Sequence, residues 1–267
     1  FESNSVGPAN WNNAANWNLI AGVDGDGIPD ADDDVIILTG HTRNVNVNSA
    51  CNNLTIQGTG TVNFPTNTRT LTVNGNLLMN NTASITGASN SRILNVSGTL
   101  YVVAGAAADI GGIQVNITGT TTLDGGLTFN SNTGVKTFQS LVTLNAAGSW
   151  TSTNITTNNN LIFQNGIFNN GTLFAAGDAT FNTNAQSISG TTSVSFANDV
   201  TVTGITVTND LVSPDNVTIT IDLQGTGTWT QAVNSLLFIG DDASITNLTA
   251  AANPNTVTYN GIGLQNV

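Results

Sequence analysis

The sequence predicts an all-β protein wound as a parallel β-helix, a solenoid of about 20 residues per coil with an N-terminal capping segment. Three observations carry that expectation: a composition almost free of charge, a short apolar phrase that returns along the chain, and turn-forming residues clustered between its copies. Of the 267 residues only 7% are charged, against about a quarter in an average globular domain, while 39% are hydrophobic. Asn, Thr, Gly and Ser fill the polar positions. Long surface helices carry Lys, Glu and Arg, and this chain has one Glu (Glu2), one Lys (Lys136) and three Arg (Arg43, Arg69, Arg92). Almost no helix is expected.

The returning phrase is apolar-x-apolar-x-Gly, two inward side chains followed by a residue that lets the backbone turn. It reads Leu54-Thr55-Ile56-Gln57-Gly58, Leu71-Thr72-Val73-Asn74-Gly75, Leu94-Asn95-Val96-Ser97-Gly98 and Val115-Asn116-Ile117-Thr118-Gly119, at steps of 17, 23 and 21 residues. Looser copies begin at Val142, Leu161, Ala179, Val194, Ile221 and Val257. Strict alternation with β-branched residues marks half-buried strands, and Asn, Gly, Asp and Ser between the runs supply turns. Self-similarity at a period of about 20 residues points to coils that bury their apolar faces only by stacking. A sandwich of hairpins is the competing fold, but it offers no reason for a phrase to return at coil length.

Residues 1–50 differ from residues 51–267. They hold Trp11, Trp17, Pro8, Pro29, a run rich in Asp and the sole His. We expect this segment to cap the solenoid formed by 51–267, because an open first coil exposes unpaired backbone groups. At the other end, Thr256-Val257-Thr258-Tyr259 opens a coil that Gly261-Ile262-Gly263 turns without closing. The expectation is that a further domain, or another copy of the protein, covers that edge end to end.

The formal net charge of −12 excludes nucleic acid as a partner, since no basic patch exists to displace counterions from phosphates. No apolar run approaches the roughly 18 residues of a spanning helix, so no membrane insertion is expected. Cys51 is the sole cysteine, which leaves no internal disulfide and no cysteine-based metal site.

The strongest local motif is the run from Asp24 to Asp34, with Asp at 24, 26, 30, 32, 33 and 34 on a Gly-containing loop. Alternating carboxylates of this kind suit a hard cation, naturally Ca2+. The run resembles the thrombospondin type 3 calcium loop, and by that resemblance Asp24, Asp26, Asp30 and Asp33 would be ligands, with the Ile28 carbonyl as a fifth. The family's leading Asp falls here on Gly22. A solvated acidic loop in which Asp33 and Asp34 merely introduce the next strand is the alternative.

Other chemistry is thinly represented. His41 lacks a triad around it in the sequence, and Cys51 reads as a small buried hydrophobe. A polysaccharide-acting β-helix would use clustered carboxylates with a base, but Asp109, Asp124, Asp215, Asp222 and Asp241-Asp242 are scattered. Arg69 and Arg92 lie about one coil apart. Thr-x-Thr pairs, at 201/203, 206/208, 218/220 and 226/228, would suit an ice-binding solenoid if the coils were even in length.

Two stretches resemble a known group. Asn10-Trp11 through Asn16-Trp17, then Pro29 and Asp33-Asp34-Val35-Ile36-Ile37, look like the tryptophan-rich opening of large repetitive surface proteins of Bacteroidetes, gliding and adhesion cargo of the type 9 secretion system. Asn255-Thr256-Val257-Thr258-Tyr259-Asn260-Gly261-Ile262-Gly263-Leu264-Gln265 is similar to a phrase which that family repeats between coils. The resemblance implies a right-handed parallel β-helix, a secreted or cell-surface location, and an adhesive or scaffold role without an active site. The expected function is therefore a non-catalytic extracellular rod with surface glycans as candidate partners. A polysaccharide lyase or hydrolase is the alternative, and an ice-binding solenoid a lesser one.

Overall fold

A computed structural model describes residues 1–65, 68–131, 133–152 and 161–261. The chain is all-β, a parallel solenoid of about 10 turns with about 21 residues per turn, as the sequence predicts. Among the described residues the one helical segment is a single 3-10 turn, Ala14–Asn16. Each turn supplies three short strands, so three parallel ladders run along the axis. In the first, Val35–Ile37 is followed by Leu54–Ile56, Leu77–Met79, Leu100–Val102, Thr121–Leu123, Val142–Leu144 and Ile167–Asn169. The second begins with Gly7–Asn10, His41–Asn44 and Thr61–Asn63. The third begins with Ser49–Cys51 and Arg69–Val73. Long strands such as Ser84–Val96 and Ala107–Ile117 run round a corner and belong to two ladders.

Local sequence explains the strands directly. Many are three residues long and read buried, part-exposed, buried, as in Leu54-Thr55-Ile56 and Val142-Thr143-Leu144. Alternate side chains on a strand point to opposite faces, so each strand places two residues in the core and one outside. Stacking then sets like over like. Phe138, Phe163 and Phe181 follow one another in the third ladder, with ring centroids 5.7 and 5.3 Å apart and nearly parallel planes. Trp150 packs on Phe138 at 5.0 Å and on Phe129 at 4.8 Å. Each such side chain removed from water contributes about 1.5–3 kcal/mol.

The corners carry ladders of a second kind. The Asp34 carboxylate accepts the backbone and side-chain N–H of Asn53, the Asn53 side-chain oxygen accepts the Asn76 N–H, and that of Asn76 accepts the N–H and hydroxyl of Thr99. Beside this ladder run Gly75, Gly98 and Gly119. A Cβ on Gly98 would lie 2.5 Å from the Gly75 carbonyl oxygen, and one on Gly119 would meet the Gly98 carbonyl in the same way. Close backbone approach, not chain flexibility, requires glycine there.

The pairing register changes the meaning of the repeated phrase. Leu71, Leu94 and Val115 stack on one another in the third ladder, but Leu54 belongs to the first. Of the later copies, Val142 lies in the first ladder, Leu161 and Ala179 in the third, and Val194 and Val257 in the second. Each copy is one strand plus one corner, a unit of which a turn holds three, and the step from Leu54 to Leu71 crosses between ladders within one turn.

The parallel stack already begins inside the segment expected only to cap it. Glu2 pairs with Ile36, Gly7–Asn10 pairs with His41–Asn44, and Val35 to Cys51 makes a full turn. The end of the core is covered by Trp11 and Trp17, both buried, with rings edge to face at 5.0 Å and the Trp17 indole N–H donating to the Trp11 carbonyl. Arg43 is fully buried beneath them, its guanidinium 5.2 Å from the Trp17 ring and donating to the Ser5, Thr42 and Asn16 carbonyls. At the far end the last described strands are Ala243–Thr249 and Thr256–Tyr259. The turn expected at Gly261-Ile262-Gly263 and the end of the Asn255–Gln265 phrase lie outside the described residues from position 262 onward.

Gly98→Ala is expected to lower stability by about 1–3 kcal/mol, because the added methyl forces two coils apart at the corner. Denaturant unfolding of the two proteins measures this, and equal midpoints would show that the corner backbones are not in close contact.

Candidate functional site

Three of the four predicted carboxylate ligands converge. Oxygen atoms of Asp24, Asp30 and Asp33 lie within 4.8 Å of one another. The loop is shaped by its own side chains. Asp24 accepts the backbone N–H groups of Asp26 and Gly27, and Gly27 takes a positive φ of 75°. Asp33 accepts the Asp30 N–H at 2.9 Å, and Asp30 accepts that of Asp32 at 3.3 Å. Asp26 stands outside the three-carboxylate group, and its oxygen accepts the Ile28 N–H at 2.9 Å. The Ile28 side chain packs against the core, and the Pro29 carbonyl accepts the Trp11 indole N–H at 3.4 Å, which ties the loop to the capped end.

The Asp30 carboxyl is pushed above the usual carboxylate range, first by its side-chain hydrogen bond with Asp32, and also by the charges of Asp32 and Asp24. Three carboxylates supply hard oxygen donors, the ligand type that Ca2+ takes. The same hydrogen bonds also describe an ordinary acidic turn, since Asp side chains habitually bond backbone N–H groups two residues on. Asp34 has a separate task, anchoring the Asn53 ladder.

The remaining candidates are held by structural contacts. His41 Nδ1 lies 2.9 Å from Ser3 Oγ, but Ser3 is fully buried and its oxygen also accepts the Leu38 N–H. Cys51 is fully buried and stacks on Val73, and burial pushes its thiol up to about 12, with Asp34 and Asp33 adding to the shift. The register does set Arg92 on Arg69, and Arg69 donates to the Asn46 and Thr68 carbonyls. Lys136 replaces an apolar residue in the core, with its ammonium donating to the Ile113, Thr133 and Gly134 carbonyls. Burial lowers its pKa to about 8.

The carboxylates weighed as acids or bases are distributed over the surface. Asp109 sits in the second ladder between Ser84 and Thr128. Asp124 accepts the Tyr101 hydroxyl and the Asn145 amide, which hold it below the usual carboxylate range. Asp215 accepts the Ser193 hydroxyl at 3.3 Å. Asp222 and Asp242 belong to a corner column that sequence reading missed, Asp178, Asp199, Asp222 and Asp242, each just before a strand of the third ladder. Asp199 accepts the Asp222 N–H and Asp222 accepts that of Asp242. Burial first, then the Asp222 and Asp178 charges, raise the Asp199 pKa. The signal was present in the sequence as Asp recurring at coil length, with no Lys, Arg or His after Lys136.

A depression of about 510 Å³ beside the last coils is lined by Thr218, Thr220, Ile221, Phe238, Asp241 and Asn260, and its lining holds one carboxylate and no basic group. Paired threonine columns, Thr206 and Thr208 under Thr228 and Thr230, then Asn247 and Thr249, span three coils. Among the described residues no helix is long and apolar enough to cross a membrane. No protein-family model, no curated protein and no solved structure matches the chain.

Cys51 provides a check on core packing. With its thiol raised from 9.0 to about 12 on folding, the unfolded thiol ionises first, so its share of stability is lost as pH rises from 9.0 towards 12. The native protein at pH 9 should resist alkylation by iodoacetamide and react promptly once denatured. Fast labelling of the native form would contradict the buried position.

Proposed function

We propose that this chain is a non-catalytic module of a secreted or cell-surface protein, a stiff rod that displays uncharged polar faces and continues end to end with further domains or copies of itself. One observation carries the reading above others. Basic side chains serve the fold, with Arg43 and Lys136 buried and Arg69 tied to backbone carbonyls, while the carboxylates are spread over separate corners and faces. A general acid and a general base must reach one substrate bond within hydrogen-bond distance, and the described carboxylates are not grouped with a base in that way. What the coils offer outward is mostly Thr, Asn and Ser, one residue per strand.

The resemblance of Trp11, Trp17 and the Asp33-Asp34-Val35 strand to Bacteroidetes surface proteins exported by the type 9 system agrees with this reading and with a location outside the cell. Ca2+ bound through Asp24, Asp30 and Asp33 would stiffen the capped end, where the loop is tied to Trp11. A polysaccharide lyase or hydrolase is the competing reading.

Incubation with pectin, alginate and glycosaminoglycans should release neither reducing ends nor unsaturated products, and reproducible cleavage of any one would replace the rod with the enzyme. Chelation should increase protease cleavage within residues 24–34 and leave the coils intact. Equal cleavage with and without chelator would remove the metal from the proposal.

A further inference from the structure

The first ladder carries an outward column that holds large side chains among small polar ones. In order along the axis it reads Thr55, Leu78, Tyr101, Thr122, Thr143, Phe168 and Ser189. On this column Phe168 is 36% exposed and Tyr101 and Leu78 are part-buried, while the second ladder has outward rings of its own in Phe174 and Phe238. Tyr101 and Phe168 are three strand steps apart, about 14 Å at the usual spacing of parallel strands. Between them lie only the hydroxyls of Thr122 and Thr143.

The Tyr101 ring is held in place. Its hydroxyl donates to Asp124, one coil on and two positions along, and Asp124 also accepts the Asn145 amide. The phenol therefore reaches toward the next coil. Next to it, a depression of about 340 Å³ is lined by Asn53, Thr55, Asn76, Leu78, Thr99 and Tyr101, amides, hydroxyls and apolar surface without a charge.

We infer that this face binds an extended, neutral polysaccharide lying along the solenoid axis, with Tyr101 and Phe168 each stacking on a sugar ring. Sugar rings offer an apolar C–H face to an aromatic ring and hydroxyls to flanking amides and carboxylates, which is the chemistry displayed here. Charge selects among glycans. With a net charge of −12 and Asp124 beside the platform, an anionic chain is repelled and a neutral one is not. The inference rests on the adhesive reading above and gives its partner a chemical class.

Affinity electrophoresis in gels containing soluble β-glucan, xylan or alginate tests it, with thermal unfolding confirming that each variant is folded. The expected result is retardation by a neutral glycan but not by alginate, weakened about tenfold or more in Tyr101→Ala and in Phe168→Ala. Tyr101→Phe, which keeps the ring, should retain most binding. Phe174→Ala, which removes an exposed ring from the second ladder, should bind as wild type. Failure of the neutral glycans to retard the protein, equal retardation by alginate, or full binding by Tyr101→Ala and Phe168→Ala would each overturn the platform. Binding that survives those substitutions would leave the adhesive module standing without this face, whereas shortened glycan chains would overturn the module itself.

Discussion

Nearly every strand of this protein is hydrogen-bonded in parallel to the strand one turn before it and the strand one turn after it. At the spacing of paired strands, corresponding residues of successive turns sit about 4.8 Å apart, closer than any other long-range neighbours. Each position is thereby judged by whether it tolerates a copy of its own kind above and below. Apolar residues do, and the Phe138, Phe163, Phe181 stack is the result. Asn does, because its amide both donates and accepts, so Asn116 bonds to Asn95 and Asn63 to Asn44. Glycine is required where corner backbones meet, as at Gly75, Gly98 and Gly119.

Charge is poorly tolerated under that constraint, which gives the scarcity of Lys, Arg and Glu a physical reason. Like charges stacked at strand spacing repel, and Asp199 holds its proton more tightly through burial first and then through the charges of Asp222 and Asp178. Two of the four basic residues, Arg43 and Lys136, leave the surface columns, while Arg69 and Arg92 stack in the third ladder. Arg43 closes the N-terminal end of the core under Trp17, and Lys136 enters the core with three carbonyls around its ammonium. Both are surrounded by backbone acceptors, which is how a buried cation is tolerated.

The same constraint shapes function. Three-residue strands expose one side chain each, so the outer surface consists of single columns along the axis, and only a few coils present paired columns. Columns suit long, regular partners that run parallel to the axis better than small substrates that need a concave site. The outward Tyr101 and Phe168 matter because they interrupt a polar column on one face. The acidic loop is the exception to the repeat, tied to the Trp11 end and shaped by bonds within itself.

Much of this was legible in the sequence. Period-two alternation is local, so Leu54-Thr55-Ile56 announces which side chains face inward wherever the strand finally sits, and the charge-poor composition removes helices from consideration. The convergence of Asp24, Asp30 and Asp33 was readable for the same reason, as residues of one short loop, although Asp26 turned to the Ile28 N–H instead. Tertiary structure decided what depends on corner length. Turns are uneven, short from Leu161 to Ala179 and long from Lys136 to Leu161, and only the completed winding shows which strand rests on which. That is why copies of one phrase proved to lie in different ladders, why Asp178 and Asp199 joined Asp222 in a column, and why Tyr101 and Phe168, far apart in the chain, came to share one face.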